Sequence, residues 1–172
     1  MTTEPRIHLD FFSLFLCAML LLAHSAARAE NNCPWMNEAT ASGLIGEDAS
    51  GMAVAVPGKP ALCTFVEHAN KPMRTFQISV ETAPDGHNQY LAVLWRACGS
   101  AFTPLSAIGN EAATCTRERH GNIIEALAVG RVRDQIFTVT LGTSIKDDMV
   151  LTPAMLKMKI GIAAEQVSGN LY

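Results

Sequence analysis

Five cysteines and five histidines are the residues of this 172-residue chain best suited to chemistry. Cys17 lies inside an apolar leader; the others are Cys33, Cys63, Cys98 and Cys115. A zinc centre needs Cys and His ligands at short, regular spacings. The chain has no Cys-x-x-Cys, and His68, His87 and His120 stand at no ligand spacing from the cysteines. No metal and no other cofactor is therefore expected. Oxidation is the better use of these thiols, because an even number of cysteines in an exported chain implies disulfides. Four cysteines allow three pairings, and sequence alone does not choose among them. The expected set is Cys33–Cys63 and Cys98–Cys115, since each bond would tie a helix-side segment to the next strand. Each closed loop would contribute roughly 3 to 4 kcal/mol.

Other chemistries leave weaker traces. Gly43 and Gly99-Ser100 do not form a Gly-x-Ser-x-Gly nucleophile elbow. The carboxylate pairs Glu47-Asp48 and Asp147-Asp148 are adjacent in sequence, so they are poorly placed to flank a substrate. No Gly-rich phosphate loop occurs. A net charge of -3, without any Lys/Arg block, argues against nucleic acid and against a membrane surface. The expected protein is not an enzyme, and its partner is an unknown small molecule or envelope protein. Six residues form the candidate binding surface: Trp35, Trp95, Asn110, Glu111, His120 and Arg133. Each has a plainer role. The two tryptophans are read first as core, with lining a helix–sheet cleft as the alternative. Asn110 and Glu111 suit a turn, and His120 a solvated hairpin tip. Arg133, with Arg131 and Asp134, is either an anion site or a charged turn that discourages edge pairing.

Residues 1–29 read as an export signal. Arg6 starts them, residues 11–23 are apolar or small apart from Ser13, and Ala27-Arg28-Ala29 offers a small-x-small cleavage pattern before Glu30. The apolar run is shorter than the roughly 20 residues of a membrane span, although an uncleaved anchor is the alternative. Residues 30–172 then form one exported domain, periplasmic or secreted, soluble once the signal is cleaved.

The elements that must position these residues follow from hydrophobic period and punctuation. A short helix runs from the Asn37 cap to Gly46, with Ala41, Leu44 and Ile45 on one face. A turn at 48–51 leads to an edge strand over 52–56, ended by Pro57-Gly58. Strands follow at 62–68 and 74–82, the latter with Phe76, Ile78 and Val80 inward. A helix over 87–98 lays Tyr90, Leu91, Leu94, Trp95 and Cys98 on the sheet. Residues 102–105, with Pro104, read as loop. A meander follows with strands over 112–119, 122–131 and 135–142. Thr152 caps a last helix with Pro153 at its first position. In that helix Leu156, Ile160, Ala163, Val167 and Leu171 share a face, and Met155 and Met158 are read as core filling. The fold class is α+β: an antiparallel sheet with helices packed on one face, in the order α-βββ-α-βββ-α.

Four stretches together carry a resemblance: Cys33-Pro34-Trp35-Met36, Cys63-Thr64-Phe65, Ile108-Gly109-Asn110-Glu111-Ala112 and Ala163-Ala164-Glu165-Gln166-Val167. The domain resembles small exported bacterial proteins and lipoproteins that carry a domain of unknown function, widespread in actinobacteria. Its layout is similar to the extracellular sensor domains of mycobacterial serine/threonine kinases. Those lipoproteins carry a lipidated cysteine, and this chain lacks the small-residue context for one. The resemblance implies an envelope location and a non-enzymatic role, and supplies no ligand and no site residues. The expected function is a non-catalytic binding or sensing module. Its alternatives are an envelope interaction or structural component, and a hydrolase without a recognisable motif.

Overall fold

The computed structural model describes residues 32–68, 73–119 and 123–172. The expected leader, its cleavage point between Ala29 and Glu30, and His120 lie outside the described residues. Among the described residues, three helices and seven strands follow in the order α1 (Glu38–Ile45), β1 (Ala49–Val54), β2 (Ala61–Glu67), β3 (Arg74–Thr82), α2 (His87–Cys98), β4 (Thr103–Leu105), β5 (Glu111–Arg119), β6 (Ile123–Val132), β7 (Gln135–Thr143) and α3 (Pro153–Gly169). All strands join one antiparallel sheet in the order β1-β2-β3-β7-β6-β5-β4. Two meanders thus meet along the β3–β7 pair, and the fold is α+β.

The caps do what their residue types dictate. Asn37 Oδ1 accepts the Thr40 amide at 2.8 Å at the start of α1, and Thr152 Oγ1 accepts the Met155 amide at the start of α3. At the other end of α1 the Gly43 and Leu44 carbonyls lack helical partners. Lys159 of α3 donates to both, at 3.0 and 2.7 Å, and so joins the two helices.

The main core lies on the face shared by α1 and α3. Phe65, Phe76, Ile78, Phe137, Val139 and Leu141 project from the sheet against Ile45 of α1 and Leu156 and Ile160 of α3. Each such side chain, fully buried, contributes about 1.5–3 kcal/mol. Helix α2 takes the opposite face, where Tyr90 and Leu94 pack on Ala113, Val129 and Ile136. The helix layer is therefore two-sided rather than confined to one face. The reason is written in β6, which is buried on both sides from Glu125 to Gly130, as a strand covered twice must be. Both expected disulfides are present, one on each face. Cys33–Cys63 holds the lead-in to α1 against β2, and Cys98–Cys115 holds the last residue of α2 against β5.

Several expectations need correction. β1 begins at Ala49 instead of following a turn at 48–51, because Gly51 lets the strand pass under the Phe65 ring, where a Cβ would sit 2.6 Å away. The expected loop at 102–105 contains strand β4, and Pro104 is tolerated because β4 is an edge that pairs only with β5. Trp95 is not core: it flanks the α2 stripe, 55% exposed, and meets Phe102 edge-on. Met158 is likewise 52% exposed on α3.

Charged groups are buried at the end of the sheet where β3 begins and β7 stops, among them Arg74, Asp148 and Glu67. Arg74 donates to both Asp148 oxygens, at 2.8 and 2.9 Å. Asp148 also accepts the Thr143 hydroxyl and the Val150 and Leu151 amides. Burial by itself would push the Asp148 carboxyl up. The arginine and the three further donors outweigh it and hold the group well below the usual carboxylate range.

Candidate functional site

The other end of the sheet collects the candidate residues. Thr82 closes β3 opposite Gln135, which opens β7. Val132 closes β6 opposite the same Gln135, and Glu111 opens β5 opposite Arg131. The β1–β2 turn lies at this end too, since Ala61 pairs with Val80. Alternation within strands sets which side chain faces which layer; the strand ends decide what meets at the rim.

A cleft of ≈470 Å³ opens here, walled by Trp35, Lys59, Pro60, Val80, Glu81 and Gln135 among others. This volume lies within the ordinary range of small-molecule sites. Trp35 is fixed from two sides. The Cys33–Cys63 bond anchors the chain two residues before it, and Asn170 Nδ2, just beyond α3, donates to its carbonyl at 2.9 Å. Its ring packs partly on the main core and lines the cleft. Of its two expected roles, the cleft-lining one applies alongside core packing. Pro60 and Glu81 also border a second groove of ≈310 Å³ on the α2 face. Ser79, Thr138 and Thr140 line that groove, with Arg96 beside them.

The polar groups of the cleft are unspent. Among the described residues, the side chains of Lys59, Glu81 and Gln135 make no hydrogen bond or ion pair within the chain, and the Trp35 indole N–H has no acceptor. The neighbouring corner behaves in the opposite way. Glu111 accepts Arg131 Nε on one oxygen and meets His87 Nδ1 on the other, each at 2.6 Å. Arg131 Nη1 donates to the Arg133 carbonyl, and the Arg133 amide donates to Asn110 Oδ1 at 2.7 Å. The Asn110 amide returns to the Arg131 carbonyl at 2.7 Å. The Arg133 guanidinium lies over the Tyr172 ring, 5.5 Å from its centre. This network locks the loop before β5 to the β6–β7 tip. Burial raises the Tyr90 phenol above its ordinary pKa, and the Glu111 charge raises it further.

Of the six residues expected on a binding surface, Trp35, Asn110, Glu111 and Arg133 come to this one end. Asn110 and Glu111 are turn-locking groups there, and the Arg131 guanidinium, grouped with Arg133 and Asp134 in the expected anion site, is engaged by Glu111. Trp95 stands farther along α2, beside Phe102. His87 contacts Glu111, but among the described residues no hydroxyl or thiol is hydrogen-bonded to it. Sequence reading missed Lys59, Glu81 and Gln135. Their one signal is position, at the polar ends of strands beside the Pro57-Gly58 turn.

The edge of the sheet has its own protection. The Ala49 amide donates to Ser42 Oγ at 2.9 Å, and the Gly51 amide to Glu38 Oε1 at 2.8 Å. Side chains of α1 thus satisfy donors of β1 that an added strand would use. Among the described residues, no helix is long and apolar enough to cross a membrane, and no cluster of three or more His, Cys, Asp or Glu could hold a metal. Comparison with protein-family models, with curated proteins and with solved structures finds no match to this chain.

Proposed function

We propose that this chain is an exported, non-catalytic binding or sensing module of the bacterial envelope, and that its ligand surface is the strand-end cleft at Trp35. One observation carries the reading: a tryptophan anchored by a disulfide and by Asn170 borders a cleft whose polar side chains have no partner among the described residues. Unspent donors and acceptors around an aromatic plate are what a binding site needs to fix a ligand's orientation. The two disulfides fit an oxidising compartment, and the resemblance to exported actinobacterial proteins and kinase sensor domains points the same way.

Native mass spectrometry of the chain purified from its own envelope tests this. The expected result is cleavage before Glu30 and an added mass that E81A removes. Retention in the cytoplasm, or turnover of an ester, peptide or glycoside by the pure chain, would sink the proposal; turnover would favour the hydrolase alternative.

A second reading rests on a different surface. Met52, Val54 and Leu62, 59%, 45% and 37% exposed, form an apolar strip on the α2 side of β1 and β2, which α2 leaves uncovered. It would serve an envelope interaction component. Contact would run through the sheet face rather than through strand addition, since α1 side chains already satisfy two edge amides. In-cell crosslinking at position 54 that captures no partner would count against it.

A further inference from the structure

We infer that the strand-end cleft takes a neutral polyhydroxylated ligand, a saccharide, lying against Trp35 and hydrogen-bonded by Lys59, Glu81 and Gln135. The inference rests on the binding-module reading of this cleft and names its ligand class.

The chemistry of the wall argues for that class over its competitors. Lys59 and Glu81 line the same cleft, so its formal charges cancel and a phosphate or carboxylate ligand gains no net attraction. An apolar ligand would strip water from an ammonium, a carboxylate and an amide without supplying any partner, which is unfavourable for each. A sugar has the complementary surface. Its ring presents a C–H face that suits an indole, and its hydroxyls both donate and accept. Glu81 accepts only, Lys59 donates only, and Gln135 does both. The Trp35 N–H adds one more donor.

The surroundings favour a chain of sugars over a single ring. The cleft shares Pro60 and Glu81 with the groove on the α2 face, so the two meet at the strand-end rim. Ser79 and Thr138 are register partners on adjacent strands, and Thr140 follows Thr138 on the same face. These hydroxyls continue the polar lining away from Trp35, with the Arg96 guanidinium at the side. A ligand seated at Trp35 would reach those hydroxyls by passing over the strand-end rim at Pro60 and Glu81.

The test uses the purified chain carrying W95F, which leaves Trp35 as its one tryptophan after signal cleavage. Its emission is titrated with chitotetraose, maltotetraose, mannotetraose, inorganic phosphate and laurate. At least one tetrasaccharide is expected to give a saturable change, and phosphate and laurate none. Binding should weaken about tenfold in E81A and again in Q135A, the size of one good polar contact. Calorimetry on W35F, with its fold checked by circular dichroism, should show a similar loss without unfolding. A response to phosphate or laurate but to no sugar would overturn the saccharide class and leave the binding reading standing. Silence toward all five probes would overturn both. Sugar binding unaffected by E81A, Q135A and W35F would place the site elsewhere and overturn the inference.

Discussion

Replacing Asp148 with Asn should cost a large part of the stability of this domain while leaving the cleft intact. Asp148 accepts five hydrogen bonds: two from Arg74, one from the Thr143 hydroxyl and two from the Val150 and Leu151 amides. Its side chain is 1% exposed and that of Arg74 is 9% exposed. Asparagine keeps the shape but removes the charge and turns one acceptor into a donor facing Arg74. Among the described residues the guanidinium then keeps its more distant contacts at 3.8 Å, with Glu67 and the exposed Glu47. Breaking a buried pair this way costs about 3–5 kcal/mol, against roughly 5–15 kcal/mol for a whole domain. The same pair sets an acid limb. The folded carboxyl titrates below its unfolded value, so its stabilisation is fully present above about pH 4 and is lost as pH falls from there through the folded value. Urea unfolding at neutral pH and at several values below about 4 measures both effects. D148N should unfold far earlier at neutral pH and should lack much of the acid limb. The cleft lies at the far end of β3, about 27 Å away along the strand, so Trp35 emission in the folded variant should not change. A D148N loss below about 1 kcal/mol, the scale of an exposed pair, with the acid limb unchanged, would refute the account of this end of the sheet.

Three further outcomes are expected. Reduction, or the separate C33S/C63S and C98S/C115S pairs, should lower the melting temperature, with roughly 4 and 3 kcal/mol lost for loops of 30 and 17 residues; free thiols at all four of Cys33, Cys63, Cys98 and Cys115 in the purified chain would contradict this. Gly109→Ala should cost more than about 2 kcal/mol in thermal unfolding, because Gly109 has φ +59° and an added Cβ would run into the Arg131 carbonyl. A neutral G109A would mean that the loop before β5 is not locked to the β6–β7 tip. Tyr90 should ionise above the ordinary phenol range, by burial first and the Glu111 charge second. Its folded pKa exceeds its unfolded one, so its share of stability falls as pH rises beyond about 10. Absorbance titration of E111Q should show an earlier phenolate, and Y90F should lose that alkaline decline. Lys159, whose pKa burial lowers, acts with the opposite sign in the same range, so Y90F is compared with the parent chain.

What sequence revealed of the fold depended on how local the governing physics was. The spans of β3 and α2 are as expected because each is set by its own residues: a strict two-residue alternation in Arg74–Thr82, and a helical stripe between a turn and Gly99 in His87–Cys98. The errors arise where a neighbour overrides local preference. Ser50-Gly51 reads as a turn until the Phe65 ring is seen lying over it. Pro104 reads as a strand breaker until its strand proves to be an edge. The two-sided helix layer had a signal, since β6 has apolar residues on both of its faces. A strand with one wet face has no use for that pattern.

The candidate site was harder to read because its parts are joined by no local pattern. Asn110, Glu111 and Arg133 attract attention as polar residues at turns, but polar residues at turns are as often structural fasteners as ligand contacts. The distinction lies in whether their hydrogen-bonding capacity is already used. Glu111 spends both oxygens on Arg131 and His87, and Asn110 spends its carbonyl on the Arg133 amide. Glu81 and Gln135 sit at plain strand ends and look unremarked in sequence, yet their side chains have no partner among the described residues. Trp35 reaches them through two tertiary contacts: a disulfide of sequence separation 30 to β2, and a hydrogen bond from Asn170, 135 residues away. The cysteines made the first contact legible. The second is visible only in the fold, because an asparagine after a helix carries no mark of what it will hold. In this chain, then, the groups that look most chemical in sequence hold the scaffold, and the ones left over face the cleft.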